Sequence, residues 1–125
     1  MERGIPVIAA SQYSLIVTVV NRGYSDQVMK AAQLGGATGG TVLLSRGVGN
    51  HEVEKFLGFS IQPEKEVVLV LTEKEPKQEI MKAICQACGF CTPAKGMSFA
   101  LPVDEAFGFP QSAFPELGEM RKTGT

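Results

Sequence analysis

The sequence predicts an α+β domain in which a four-stranded antiparallel sheet carries two helices on one face. Three observations predict it. Runs rich in β-branched and aliphatic residues recur at 13–21, 41–45, 66–72 and 97–103, as strands require. A segment of helical spacing lies between the first and second runs, and another between the third and fourth. The resulting order, β-α-β, loop, β-α-β, is that of two split halves sharing one sheet.

Residues 1–12 carry Gly4 and Pro6 without a clear period and read as an arm before the first strand. In Tyr13–Asn21 the run Leu15, Ile16, Val17, Val19 and Val20 suits a strand buried on both faces or nearly so. The chain then turns at Asn21-Arg22-Gly23-Tyr24. Ser25 is placed as the N-cap of a helix with Asp26 in its first turn, and Val28, Ala31, Ala32 and Leu34 supply the apolar face before Gly35-Gly36 ends it. These glycines, with Gly39-Gly40, lack the lysine and spacing of a phosphate-cradling loop and are read as cap and turn.

Thr41–Ser45 forms a short second strand that runs into Arg46-Gly47-Val48-Gly49. Residues 50–62 mix Val53, Phe56, Leu57, Phe59 and Ile61 with charges and glycine, and a long mobile loop is expected there. The third strand spans Glu66–Thr72. Pro76 is placed as the first residue of the second helix, in which Ile80, Met81, Ile84, Ala87 and Cys88 recur at helical spacing until Gly89. From Met97 to Val103, Met97, Phe99 and Leu101 alternate with Ser98 and Ala100 as in a half-exposed fourth strand, and residues 108–125 form a tail. Nothing in this order covers the sheet face opposite the helices. Self-association is the expected remedy.

The chain has 125 residues, 44% of them apolar and 20% charged, which suits a single domain, 1–125, with one core. Twelve basic residues against 13 acidic give a net charge of −1 with no basic stripe, so no nucleic-acid partner is expected. The apolar stretch Leu15–Val20, broken by Thr18, is far too short to span a membrane. No secretory signal is visible, and the three cysteines cluster at Cys85, Cys88 and Cys91 instead of spreading as a disulfide framework would. A cytoplasmic location is the expectation.

Gly39-Gly40-Thr41-Val42 leading into Arg46-Gly47-Val48-Gly49, followed after a loop and a β-α unit by Gly96-Met97-Ser98-Phe99-Ala100-Leu101-Pro102-Val103-Asp104-Glu105-Ala106, resembles the PII signal-transduction family. The order and spacing match over about residues 13–107, which is more specific than either motif alone. The resemblance implies a ferredoxin-like fold, a homotrimer, and an adenine nucleotide bound in the clefts between subunits. It also implies that the loop at 50–62 changes shape and engages a membrane transporter or regulatory protein.

Position by position, Thr41 matches a threonine near the adenine. Gly47, Val48 and Gly49 match the turn lining the phosphates, and Gly96 matches a glycine of the loop before the last strand. Lys65 lies near a phosphate-binding lysine, with Lys95 as a neighbouring alternative. The chain also departs from the family. Phe107-Gly108-Phe109 stands where arginines commonly reach the phosphates, and Cys91-Thr92-Pro93-Ala94-Lys95-Gly96 is less glycine-rich than usual. ADP, AMP, a cyclic nucleotide or another small anion is thereby favoured over a tightly held ATP. The 50–62 loop contains no tyrosine to receive a uridylyl group.

Cys85-Gln86-Ala87-Cys88-Gly89-Phe90-Cys91 has the spacing of three iron–sulfur ligands but lacks a fourth cysteine. Cys85 and Cys88 are placed on the core-facing side with Met81 and Ile84, where free cysteines act as small apolar residues. His51, the sole histidine, is read as solvated in the loop, and Phe107, Phe109 and Phe114 as packing on a neighbouring subunit. No paired acid and base or activated nucleophile is visible, so the reading is a non-enzymatic sensor with no metal. The alternative is a metal- or redox-responsive trimer resembling the divalent-cation-tolerance proteins, using Cys85, Cys88 and Cys91.

Overall fold

A computed structural model describes residues 12–48 and 64–107. The expected arm, the loop at 50–62, Gly49, His51, Phe109, Phe114 and the tail lie outside the described residues, apart from residue 12. Six elements follow in order: β1 (Tyr13–Asn21), α1 (Ser25–Leu34), β2 (Thr41–Arg46), β3 (Glu64–Glu73), α2 (Lys74–Cys88) and β4 (Met97–Pro102). The strands form one sheet in the order β2-β3-β1-β4, and every pairing is antiparallel.

Alternation along the two central strands decides where the core sits. Ile16 and Val20 of β1 and Val68 and Val70 of β3 point to the helices and are fully buried. Against them pack Val28 and Ala32 from α1 and Ile80, Ile84 and Cys88 from α2, all at most 1% exposed. Both helices therefore cover the same face. Gly35 lets them close together, since a Cβ there would lie 2.7 Å from the Cα of Ile80. Gly36, at φ +119°, then turns the chain away, and the amides of Gly35, Gly36 and Ala37 cap α1 through the carbonyls of Ala31, Ala32 and Gln33.

The opposite face is apolar, and none of the described residues covers it. Cross-strand register builds it in rows: Leu71, Leu15 and Leu101, then Leu69, Val17 and Phe99, then Val67, Val19 and Met97. On the outer strand β4, Met97, Phe99 and Leu101 are 63%, 43% and 49% exposed. The edge strand β2 is exposed throughout, Leu43 included.

Several boundaries differ from expectation. β3 begins at Glu64, not Glu66, because Glu64 and Lys65 pair with Arg46 and Ser45 of β2. α2 begins at Lys74, with Glu73 in extended backbone as its N-cap. Pro76 is thus its third residue, still inside the first turn, where a missing N–H breaks no intrahelical bond. Ser25 is the first residue of α1, and Tyr24 stands at the cap. Leu34 is 88% exposed and Ala87 is exposed, so neither belongs to the core. Cys85, expected near the core, is exposed as well.

Candidate functional site

Antiparallel register gathers polar residues at one end of the sheet, where β1 and β2 finish and β3 and β4 begin. Asn21, Lys65 and Ser45 occupy one row there. The Nζ of Lys65 donates to the Oδ1 of Asn21 at 2.7 Å, and the Nδ2 of Asn21 donates to the carbonyl of Pro93 at 3.3 Å. The backbone N–H of Asn21 donates to the carbonyl of Ala94 at 2.9 Å. Asn21 therefore holds the lysine from one side and the loop before β4 from the other.

That loop, residues 89–96, is internally braced. Thr92 donates its hydroxyl to the Gly89 carbonyl at 2.7 Å, and the Lys95 N–H donates to the Thr92 carbonyl at 3.0 Å. Gly96 donates its N–H to the carbonyl of Cys88 at 2.8 Å. A Cβ at Gly96 would collide with that same carbonyl oxygen, so the position accepts only glycine. Lys95 sits at φ 51°, in the left-handed region that non-glycine residues adopt at some strain, and its Nζ lies 5.6 Å from the centroid of the Phe90 ring.

Gly47 and Val48 follow directly after β2, so they share this end of the sheet with Lys65, Lys95 and Gly96. They do not form one pocket within a chain. β2 and β4 are opposite edges, and three strand spacings of about 4.8 Å separate them by roughly 14 Å. Thr41 pairs with Leu69, four residues from the Lys65 row, which at about 3.3 Å per residue is roughly 13 Å along the strand. Val48 is 99% exposed.

Two residues of this end were not foreseen as functional. Asn21 reads locally as a turn residue, and its side-chain partners lie 44 and 72 positions away. Glu66 reads as part of a solvated strand entrance, yet alternation turns it to the helix face, opposite to Lys65. Its Oε1 accepts the N–H groups of Gly23 at 3.1 Å and Ser25 at 3.0 Å, so a strand carboxylate caps α1, which has no side-chain cap of its own. Desolvation alone would raise its pKa. Hydrogen bonds from Ser25 and Gly23, with the nearby charge of Arg22, outweigh that and hold it below the ordinary value of 4.5. Arg22 also pairs with Glu64 at 2.7 Å in the open.

Cys88 is buried, and burial pushes its thiol up, away from reactivity at neutral pH. Cys85 and Cys91 are free and exposed. Among the described residues no three of His, Cys, Asp and Glu converge as a metal site, so the three cysteines do not form one together. Among these residues, too, no helix is long and apolar enough to cross a membrane.

A sheet of order β2-β3-β1-β4 with two helices on one face, and a lysine and glycine loop at one end, defines a ferredoxin-like α+β protein with a candidate anion-binding end. The family model for nitrogen regulatory protein P-II matches residues 13–109, and the chain belongs to that family. Solved structures agree on the fold. A PII protein of Arabidopsis thaliana bound to citrate is 21% identical, with 75% of this chain and 77% of that one covered and a TM-score of 0.56. The GlnK–ATP complex of B. subtilis is 15% identical over 75% and 85% of the two chains, with a TM-score of 0.58. A putative PII-like signalling protein of Thermus thermophilus is 11% identical over 82% and 90%, with a TM-score of 0.55. No curated protein sequence matches the chain.

Proposed function

We propose that this chain is a non-enzymatic P-II regulator acting in the cytoplasm as a homotrimer. An adenine nucleotide or related small anion binds between its subunits, and the loop at 50–62 passes the signal to a transporter or regulatory protein. The observation that carries the reading is the polar end of the sheet, where Lys65 is aimed by Asn21 beside a braced glycine loop. An ammonium has three donors, and Asn21 takes one. Among the described residues the others have no partner, which leaves them to meet an anion.

The separation of Gly47 and Val48 from Gly96 across the sheet supports a cleft shared between copies. One chain supplies Thr41, Gly47 and Val48 from its β2 edge, with Gly49 next in sequence, while another approaches with its own loop. The apolar rows of the open face supply what would hold the copies together. The related structures hold ATP in one case and citrate in another, both polyanions.

Calorimetric titration of the intact assembly with ATP, ADP, AMP, cyclic AMP and citrate tests the reading. At least one anion is expected to bind, and Lys65→Ala is expected to weaken it by about tenfold or more, as loss of a charge-assisted hydrogen bond implies. Flat titrations across the whole series, with the assembly intact, would refute anion sensing.

A further inference from the structure

β2 and β4 are the two edges of the sheet, and no described residue pairs with the outer side of either. β2 runs in the direction of β1, and β4 runs against it. A second copy set beside the first, with its helices on the same side, therefore brings its β2 antiparallel to β4. Every neighbouring pair in this sheet already has that relation.

The side chains of the two edges are complementary. Alternation and register set Val42 and Leu44 of β2 on the helix side, level with Val68 and Glu66, and both are exposed. β4 offers the reverse, since its helix-side residues include the small Ser98 and Ala100. α2 does not close down on this edge, and a cleft of about 280 Å³ remains between helix and strand, with Met81, Ile84 and Cys85 among its walls. Partners in a ladder share a face, so Leu44 of one copy opposes Ser98 or Ala100 of another, and not Phe99 between them. A large residue then stands over a small one against an apolar wall.

We infer that β2 of each copy adds to β4 of the next, with Leu44 seated in the α2–β4 cleft. The contact is head to tail, so a free edge persists at each end until rotation closes a ring, as closure alone removes sheet edges. Three copies close with the helices outside and the apolar rows within. Arg46 ends β2 and Met97 begins β4 at the same end of the sheet. Gly47 and Gly96, roughly 14 Å apart as opposite edges of one chain, thus come within about one strand spacing, ~4.8 Å, on two chains. The inference rests on the homotrimer proposed above and states what joins the copies and completes the anion site.

Cross-linking of full-length protein carrying Leu44→Cys and Cys91→Ser with a short bis-maleimide, mapped by mass spectrometry, tests this. Links from position 44 to the native Cys85 are expected, in species of up to three chains, because Cys85 is exposed and lines the cleft. Links from 44 to 44 would mean that β2 meets β2, and these, or no link from 44 to 85, would overturn the proposal. Leu44→Glu should reduce the mass in light scattering from three chains to one, with helical signal retained because position 44 is exposed, whereas Leu34→Glu should change nothing. A mass unmoved by Leu44→Glu would also overturn it. Links from 44 to 85 in an assembly that binds no anion would leave the pairing standing and refute the anion reading alone.

Discussion

The two faces of this sheet are made from the same residue types and end in different states. Towards the helices, Ile16, Val20, Val68 and Val70 are fully buried, and on the other side Val17, Val19, Val67 and Leu69 are only half-buried. The contrast teaches that apolar alternation is complete in the sequence while its burial among the described residues is not. The helix face accounts for folding, and the open face is the one the proposed trimer would cover.

Cutting into the helix face should have the largest effect on folding. Ile80→Ala removes a fully buried side chain that touches both helices' shared core, and a loss of about 2–5 kcal/mol in chemical denaturation is expected. Phe99→Lys puts a charge into the open face while leaving the helix side untouched. Its secondary structure should persist, and light scattering should show the proposed trimer falling to a single chain. An unchanged mass would mean that this face is not the interface.

Smaller changes sharpen the account of how the helices are set on the sheet. Glu66→Gln weakens the cap of α1, with a loss of about 1 kcal/mol expected at neutral pH. Because the folded pKa of Glu66 lies below 4.5, its contribution is full above that value and is lost as pH falls through the lowered folded value. Wild type and Glu66→Gln should therefore converge in stability in acid, and parallel pH profiles would contradict this. Arg22→Ala should matter least, at about 0–1 kcal/mol, because its pair with Glu64 is more than half exposed on both sides.

Much of the fold was legible because its signals are local. The bounds of β1 and the span of α1 follow from a β-branched run and from a helical face closed by two glycines. The start of α2 was not, since Pro76 is tolerated anywhere in a first turn and an extended Glu73 leaves no sequence mark. Leu34 was misassigned because, six residues after Val28, it falls off the stripe that Val28, Ala31 and Ala32 share. At the site, Lys65, Gly47 and Gly96 were marked by resemblance to a family, and the structure puts them at one end of the sheet. Asn21 escaped because its role depends on Pro93 and Lys65, which only the strand register brings near.

That register is itself guarded by the adjacent pair Lys65 and Glu66. Opposite charges on neighbouring strand residues point to opposite faces, one at the candidate anion site and the other at the positive end of α1. Sliding β3 by one residue would exchange them, setting an ammonium against the helix terminus and a carboxylate where an anion should bind. A misaligned sheet would thus lose its helix cap and the lysine of the candidate site together, so folding out of step dismantles both ends of the design at once.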